Sequence, residues 1–343
     1  MIMLKRSLLA VALIAASAGA SHAGDAPALK PDRVTSQFLK ALNGSGGAPL
    51  QTLASKAARQ VLINAQKSVK VDLSGITVQN RTIEQNGIRV PLTIVKPEHM
   101  APDAPVFMFF HGGGWILGDF QTHERMVRDL VVESGIPAVF VNYDPSPESH
   151  YPVAINQAYA ATQWVAEHGR QIGVDGSRLA VVGNSVGGNM AAVVSLMAKD
   201  RHGPKIAFQG LMWPVTDDNF DDRSYLDYSE GHFLTRPMMQ WFWNAYTTDQ
   251  GDRRQIYASP LKASLQQLKG LPPALIQVAQ FDVLTDEGQA YGRKLDLAGN
   301  DVAVVRYNGT IHDFGLLNAL ANDAPTRAAF RQMAEELKYR LGK

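Results

Sequence analysis

From residue 105 onward the chain alternates short, nearly unbroken apolar runs with longer amphipathic stretches, and this rhythm limits the fold more than any other feature. The runs PVFMFFH, IPAVFVNY, RLAVVG, IAFQGLMW, PALIQVAQFD and DVAVVRYNG have strand length. Helical spacing is predicted over roughly 122–134, 153–169, 186–200, 284–299 and 325–341. Strands that are apolar throughout need cover on both faces, so the pattern predicts an α/β fold with a mostly parallel central sheet and helices on each side. Upstream, GITVQNRTI and IRVPLTIVKP flank EQNG and read as a hairpin that extends the sheet in antiparallel fashion. PDRVTSQFLKAL and PLQTLASKAARQVLINAQK read as helices broken by NGSGGAP. Residues about 215–258, which hold RPMMQWFWNAY, break the alternation and read as an insertion over the sheet.

The N-terminus reads differently. Lys5 and Arg6 precede SLLAVALIAASAGA, and the small residues Ser21 and Ala23 follow. This is the pattern of a secretory signal peptide cut after Ala23, which predicts a periplasmic or secreted protein. The apolar run is shorter than the ~20 residues a spanning helix needs, so no stable membrane anchor is expected after cleavage. The 343 residues include no cysteine, which rules out disulfides and thiolate metal sites and suits an oxidising compartment. A formal net charge of +1 without a basic block gives no nucleic-acid footprint.

The chemistry concentrates in two glycine-rich turns. Gly183-Asn184-Ser185-Val186-Gly187 fits G-x-S-x-G between an apolar strand and a helix of small residues. A turn that sharp strains the central serine and exposes its hydroxyl above the sheet edge. A serine hydroxyl is a weak nucleophile at neutral pH and needs a base, and the base needs an orienting carboxylate. On sheets of this kind the chain order is Ser, acid, His, each after a strand. Asp282 closes PALIQVAQFD and fits the acid, with Asp286 and Glu287 as alternatives nearer the next helix. Of nine histidines only His312, in NGTIHDF, lies downstream of Asp282. HGGG, residues 111–114, follows a strand and is similar to the oxyanion-hole loop of lipases and esterases. Bare backbone there leaves room for a carbonyl oxygen, and the expected N–H donors are Gly112, Gly113 and Val186, the residue after the serine. His111 is expected to brace that loop.

HGGGW, VNYDPSPESHYPVAINQAYAATQWV, GNSVGGNMAA, QFDVLTDEG and IHDF, in this order, resemble the hormone-sensitive-lipase-like bacterial esterases of the α/β-hydrolase fold, from about residue 30 to the C-terminus. The resemblance implies that 24–70 form an N-terminal helical cap segment and 71–343 the catalytic domain with a cap insertion near 215–258. It implies hydrolysis of small or medium acyl esters by Ser185, Asp282 and His312, with no metal and no cofactor. The partner it implies is a small-molecule ester; a homodimer is left open. A ligand-binding protein without catalysis, or cleavage of a lactone or amide, are the alternatives.

Four positions depart from the family pattern. Asn184 stands where Asp is usual, Val186 where Ala is usual, Asp144 where a basic residue is usual, and Asp313 turns HGF into HDF. The branched Val186 side chain is expected to narrow the acyl side. Trp115, Tyr225, Phe233 and Trp241, with Tyr228 and Trp243, are candidates for an aromatic substrate pocket, or equally for packing the cap helix. Asp217, Asp218, Asp221 and Asp222 do not match a calcium loop and are expected on a solvated loop.

Overall fold

The third strand shows how the apolar runs are used. In β3 (Ala104–Phe110), Val106, Met108 and Phe110 join one core layer, while Phe107 and Phe109 join the other. All five are wholly buried. Both faces of the strand are covered, as its lack of polar alternation requires. The computed structural model describes residues 29–342. The predicted leader, residues 1–23, and the first residues of the 24–70 segment lie outside the described residues.

Two helices come first, α1 (Arg33–Asn43) and α2 (Ser55–Lys67). The hairpin follows as β1 (Ile76–Gln85) and β2 (Ile88–Pro97). Its turn residues, Asn86 and Gly87, take φ of 53° and 77°, the left-handed pair that a two-residue hairpin favours. After β3 come α3 (Phe120–Ser134), β4 (Ala138–Val141), α4 (Val153–His168), β5 (Val174–Asn184), α5 (Val186–Asp200) and β6 (Ile206–Met212). The insertion carries α6 (Arg223–Asp227), α7 (Arg236–Tyr246) and the one-turn α8 (Gln250–Arg253). The one-turn α9 (Leu265–Leu268), β7 (Ala274–Phe281), α10 (Thr285–Leu297), β8 (Val302–Ile311) and α11 (Ala324–Leu341) complete the chain.

The strands form one eight-stranded sheet in the order β1-β2-β4-β3-β5-β6-β7-β8. The pairings β1·β2 and β2·β4 are antiparallel, and those from β4 to β8 are parallel. Helices α3 and α11 cover one face; α4, α5 and α10 cover the other. Burying both faces of a sheet this wide is the main stabilisation available to the fold, at roughly 1.5–3 kcal/mol for each large apolar side chain.

The N-terminal helices are tied to segments beyond the carboxyl ends of the parallel strands. Gln66 donates to the carbonyls of Thr122 (2.7 Å) and Leu316 (2.9 Å). Arg59 pairs with Glu148 at 2.6 Å and donates to the carbonyls of Ile116 and Ser146. No helix among the described residues is long and apolar enough to cross a membrane.

Candidate active site

Four loops meet at the carboxyl ends of the parallel strands, where ligands of open α/β sheets bind. They follow β3 (residues 111–118), β5 (Ser185), β7 (Asp282) and β8 (His312). Ser185 joins β5 to α5 with φ 55° and ψ −122°. Its N–H donates to the Met212 carbonyl at 2.9 Å. The flanking glycines permit the turn by size. A Cβ on Gly183 would lie 2.2 Å from the Gly187 oxygen, and one on Gly187 would lie 1.9 Å from the Phe110 oxygen.

The structure brings Ser185, His312 and Asp282 together. Ser185 Oγ lies 3.0 Å from His312 Nε2, and His312 Nδ1 lies 2.7 Å from Asp282 Oδ2. Asp282 Oδ1 accepts the Leu284 N–H at 3.0 Å, which fixes the carboxylate plane. All three side chains are buried. Burial disfavours the imidazolium, but the Asp282 and Asp313 carboxylates outweigh it and hold His312 above the ordinary histidine value. The alternative acids face elsewhere. Asp286 Oδ2 accepts the Ser224 N–H at 2.8 Å, and Glu287 Oε1 accepts the Thr216 N–H at 2.6 Å. Both tie down the insertion, and burial pushes the Glu287 carboxyl well above its usual range.

The glycine loop corrects one expectation. The Gly112 amide donates to Asn184 Oδ1 at 3.0 Å, so it points away from the space above Ser185. Gly113 and Gly114 line that space instead, and neither amide has an acceptor among the described residues. Val186, the first residue of α5, has an N–H with no intrahelical partner. Of the expected donors, Gly113 therefore lines the cavity together with Gly114, Gly112 does not, and Val186 follows Ser185 at the start of α5. His111 supports the loop from beneath. Its Nδ1 lies 2.9 Å from the Gly112 carbonyl, its ring stacks on Tyr143 at 4.1 Å, and burial lowers it to about 4.

Two departures from the family pattern prove to be partners across 129 residues of chain: Asn184 Nδ2 donates to Asp313 Oδ1 at 3.0 Å. Trp213 Nε1 donates to the same oxygen at 2.8 Å. An Asp at 184 would set two buried carboxylates against each other with no hydrogen between them. The amide resolves this by accepting from Gly112 and donating to Asp313. The second oxygen of Asp313 lies 3.9 Å from His312 Nε2. Sequence reading noted both positions but not their contact, since nothing local to either residue signals it. Asp144 is held by Gln157, which accepts its N–H and donates to its carboxylate, both at 2.8 Å.

The cavity beside Ser185 and His312 has a volume of about 150 Å³ and apolar walls, among them Phe38, Phe233, Met238 and Phe242. Of the predicted aromatic lining, Phe233 is in place. Trp115 is instead wholly buried and stacked on Tyr246 at 4.0 Å. Tyr225 is wholly buried edge-on to Phe220, and Trp241 packs on Phe242 outside the cavity. Large aromatic rings contribute most when fully buried, and these pack the cap. The Val186 side chain also belongs to the core and not to the cavity wall. The acidic run is not freely solvated: Lys262 bridges Asp217 and Asp218, and Arg236 pairs with Asp221 at 2.6 Å. Among the described residues no group of acidic or histidine side chains is placed to hold a metal ion.

Comparison with known proteins gives a consistent pattern. Residues 107–316 match the family model described as alpha/beta hydrolase fold. The carboxylesterase NlhH of Mycobacterium tuberculosis is 33% identical over 266 residues, which span 76% of this chain and 82% of that protein. An ethyl acetate hydrolase of Pseudomonas putida is 31% identical, with 70% of this chain and 76% of that protein covered. The crystal structure of a thermostable esterase from Pseudomonas putida ECU1011 superposes with a TM-score of 0.90 at 62% identity, covering 93% of this chain and 99% of that one.

Proposed function

Because the chain belongs to the hormone-sensitive-lipase-like esterases of the alpha/beta-hydrolase fold and is a carboxylesterase-like serine hydrolase, we propose that it hydrolyses esters of small or medium carboxylic acids through Ser185, His312 and Asp282. The observation that carries this reading is the buried Ser185–His312–Asp282 relay, with contacts of 3.0 and 2.7 Å, opening on a small apolar cavity.

Ser185 Oγ attacks the ester carbonyl carbon while its proton passes to His312 Nε2. Asp282 keeps the imidazole oriented and stabilises the imidazolium. The carbonyl oxygen becomes an anion facing the amides of Gly113, Gly114 and Val186, preorganised donors whose loss typically costs 10²–10³ in rate. The C–O bond to the alcohol then breaks, the alkoxide takes the proton from His312, and an acyl-Ser185 remains. Water, deprotonated by His312, attacks the acyl carbon. The acid leaves and Ser185 regains its proton. The same proposal includes export by residues 1–23 and action in the periplasm or outside the cell.

The pH–rate profile tests the proposal. Protonated His312 cannot accept the Ser185 proton, so kcat/KM on p-nitrophenyl butyrate falls as pH drops through the His312 value. That value is raised, so the acid limb lies above the ordinary histidine figure of about 6.5. Asp313→Asn removes one of the carboxylates that hold it up, while its remaining oxygen still accepts from Asn184 and Trp213. The variant's limb moves to lower pH. A rate that stays flat down to about pH 4, far below that figure, contradicts a neutral imidazole base.

A further inference from the structure

We infer that the Phe233 ring is a specificity-determining partition, and that the substrates of this site are esters pairing one compact group with one extended apolar group that passes the ring. This rests on the esterase reading above and adds a size rule to it.

Two cavities adjoin at Phe233. The inner one, about 150 Å³, contains Ser185 and His312. A mainly apolar space of that size accommodates about one benzene-sized group. The outer one, about 640 Å³, lies between residues 42–53 and 230–238 and touches neither catalytic side chain. The two share walls at Leu42, Leu50, Val61, Phe233 and Met238. Leu42 and Val61 are 38% and 49% exposed, so the outer space presents apolar surface to solvent beside a reactive serine. Exposed apolar surface bordering a catalytic cavity suits an apolar ligand group.

The partition is fixed in place. Phe233 has φ 76°, a left-handed conformation that is a genuine outlier for a bulky side chain. Such a residue persists only where its surroundings over-determine it, and such positions cluster at functional sites. Here the turn before it is held from two sides. Asn43 Nδ2 donates to the Gly231 carbonyl at 3.1 Å, and the His232 ring stacks on Phe281 at 5.9 Å and 5°. After it, the Arg236 N–H donates to the Ser229 carbonyl at 3.1 Å. The Phe233 ring rests on Phe38 of α1 at 6.2 Å, so the N-terminal segment and the insertion meet at this wall. An ester carbonyl at Ser185 leaves space in the inner cavity for a compact group only. A longer group continues past the shared wall that Phe233 forms with Leu42, Leu50, Val61 and Met238 into the outer cavity.

The test uses the full chain and two ester series: p-nitrophenyl acyl esters from acetate to palmitate, and acetates of alcohols from ethanol to decanol. For each protein the readout is the ratio of kcat/KM for long over short members, so a reduced folded fraction cancels. The unaltered protein favours short members in the series whose group stays in the inner cavity and accepts long members in the other. Phe233→Ala raises the long-to-short ratio in that other series by at least about tenfold, since a methylene in an apolar pocket is worth about that much or more. Phe233→Leu gives an intermediate ratio and Phe233→Trp a lower one. The responding series identifies the group that passes the ring. Ratios unchanged in both series, in active variants, overturn the partition alone. Failure of the unaltered protein to cleave any of these esters overturns the esterase reading and the partition with it.

Discussion

Asp282→Asn lowers kcat by about 10⁴-fold, the cost of presenting a serine with the wrong imidazole tautomer. The geometry makes that tautomer unavoidable. Asp282 Oδ1 accepts the Leu284 N–H at 3.0 Å, and an asparagine oxygen keeps that bond. The amide nitrogen must then take the other position, 2.7 Å from His312 Nδ1. An amide nitrogen there can only donate, which forces Nδ1 to act as acceptor, so the ring hydrogen moves to Nε2. Nε2 faces Ser185 Oγ at 3.0 Å and, carrying hydrogen, can no longer take the serine's proton. No other acid takes over at Nδ1: Asp286 and Glu287 are bound to Ser224 and Thr216, and Asp313 lies on the Nε2 side of the ring. Steady-state kinetics on a short p-nitrophenyl ester measure this. Activity within tenfold of the parent would assign the orienting role to another group.

Gly113→Ala comes next in size, with kcat reduced by about 100-fold or more, the loss typical of one oxyanion donor. Gly113 has φ 106°, which an alanine adopts only under strain. Its Cβ would lie 2.4 Å from the Leu117 oxygen and 2.7 Å from the Leu117 carbonyl carbon, both backbone atoms that cannot swing aside. The Leu117 N–H donates to the Gly113 carbonyl at 2.7 Å, so the turn closes on itself at the point of the clash. Opening it carries the Gly113 and Gly114 amides away from the carbonyl oxygen. The loss falls on kcat more than on KM, because the oxyanion exists only beyond the ground state. A folded variant, judged by circular dichroism, with kcat within threefold of the parent would remove this loop from the mechanism.

The fold was largely legible because its signal is cumulative. Each strand run is apolar throughout, each helix is amphipathic, and the order of elements admits few sheets. The pairing of chemical groups was legible by chain order, since a single histidine follows the one acid that closes a strand. What stayed hidden depends on direction. HGGG names three candidate amides, but which two face the cavity follows from the Asn184 side chain, which takes the Gly112 N–H. Aromatic content near 215–258 marks a packed cap, but not which rings look inward; Phe233 lines the cavity while Tyr225 and Trp243 are buried away from it. Asn184 and Asp313 each read as a lone departure, and only their contact shows that one accommodates the other.

The central claim is that Ser185 is the nucleophile, activated by His312. Covalent capture tests it most directly: the full chain is treated with a p-nitrophenyl alkylphosphonate and mapped by peptide mass spectrometry. One phosphonyl group on Ser185, formed with release of one p-nitrophenolate per chain, absent in Ser185→Ala and slowed in His312→Ala, is the result this account predicts. A phosphonyl group on another residue, or ester turnover at the parental rate in Ser185→Ala, would contradict it.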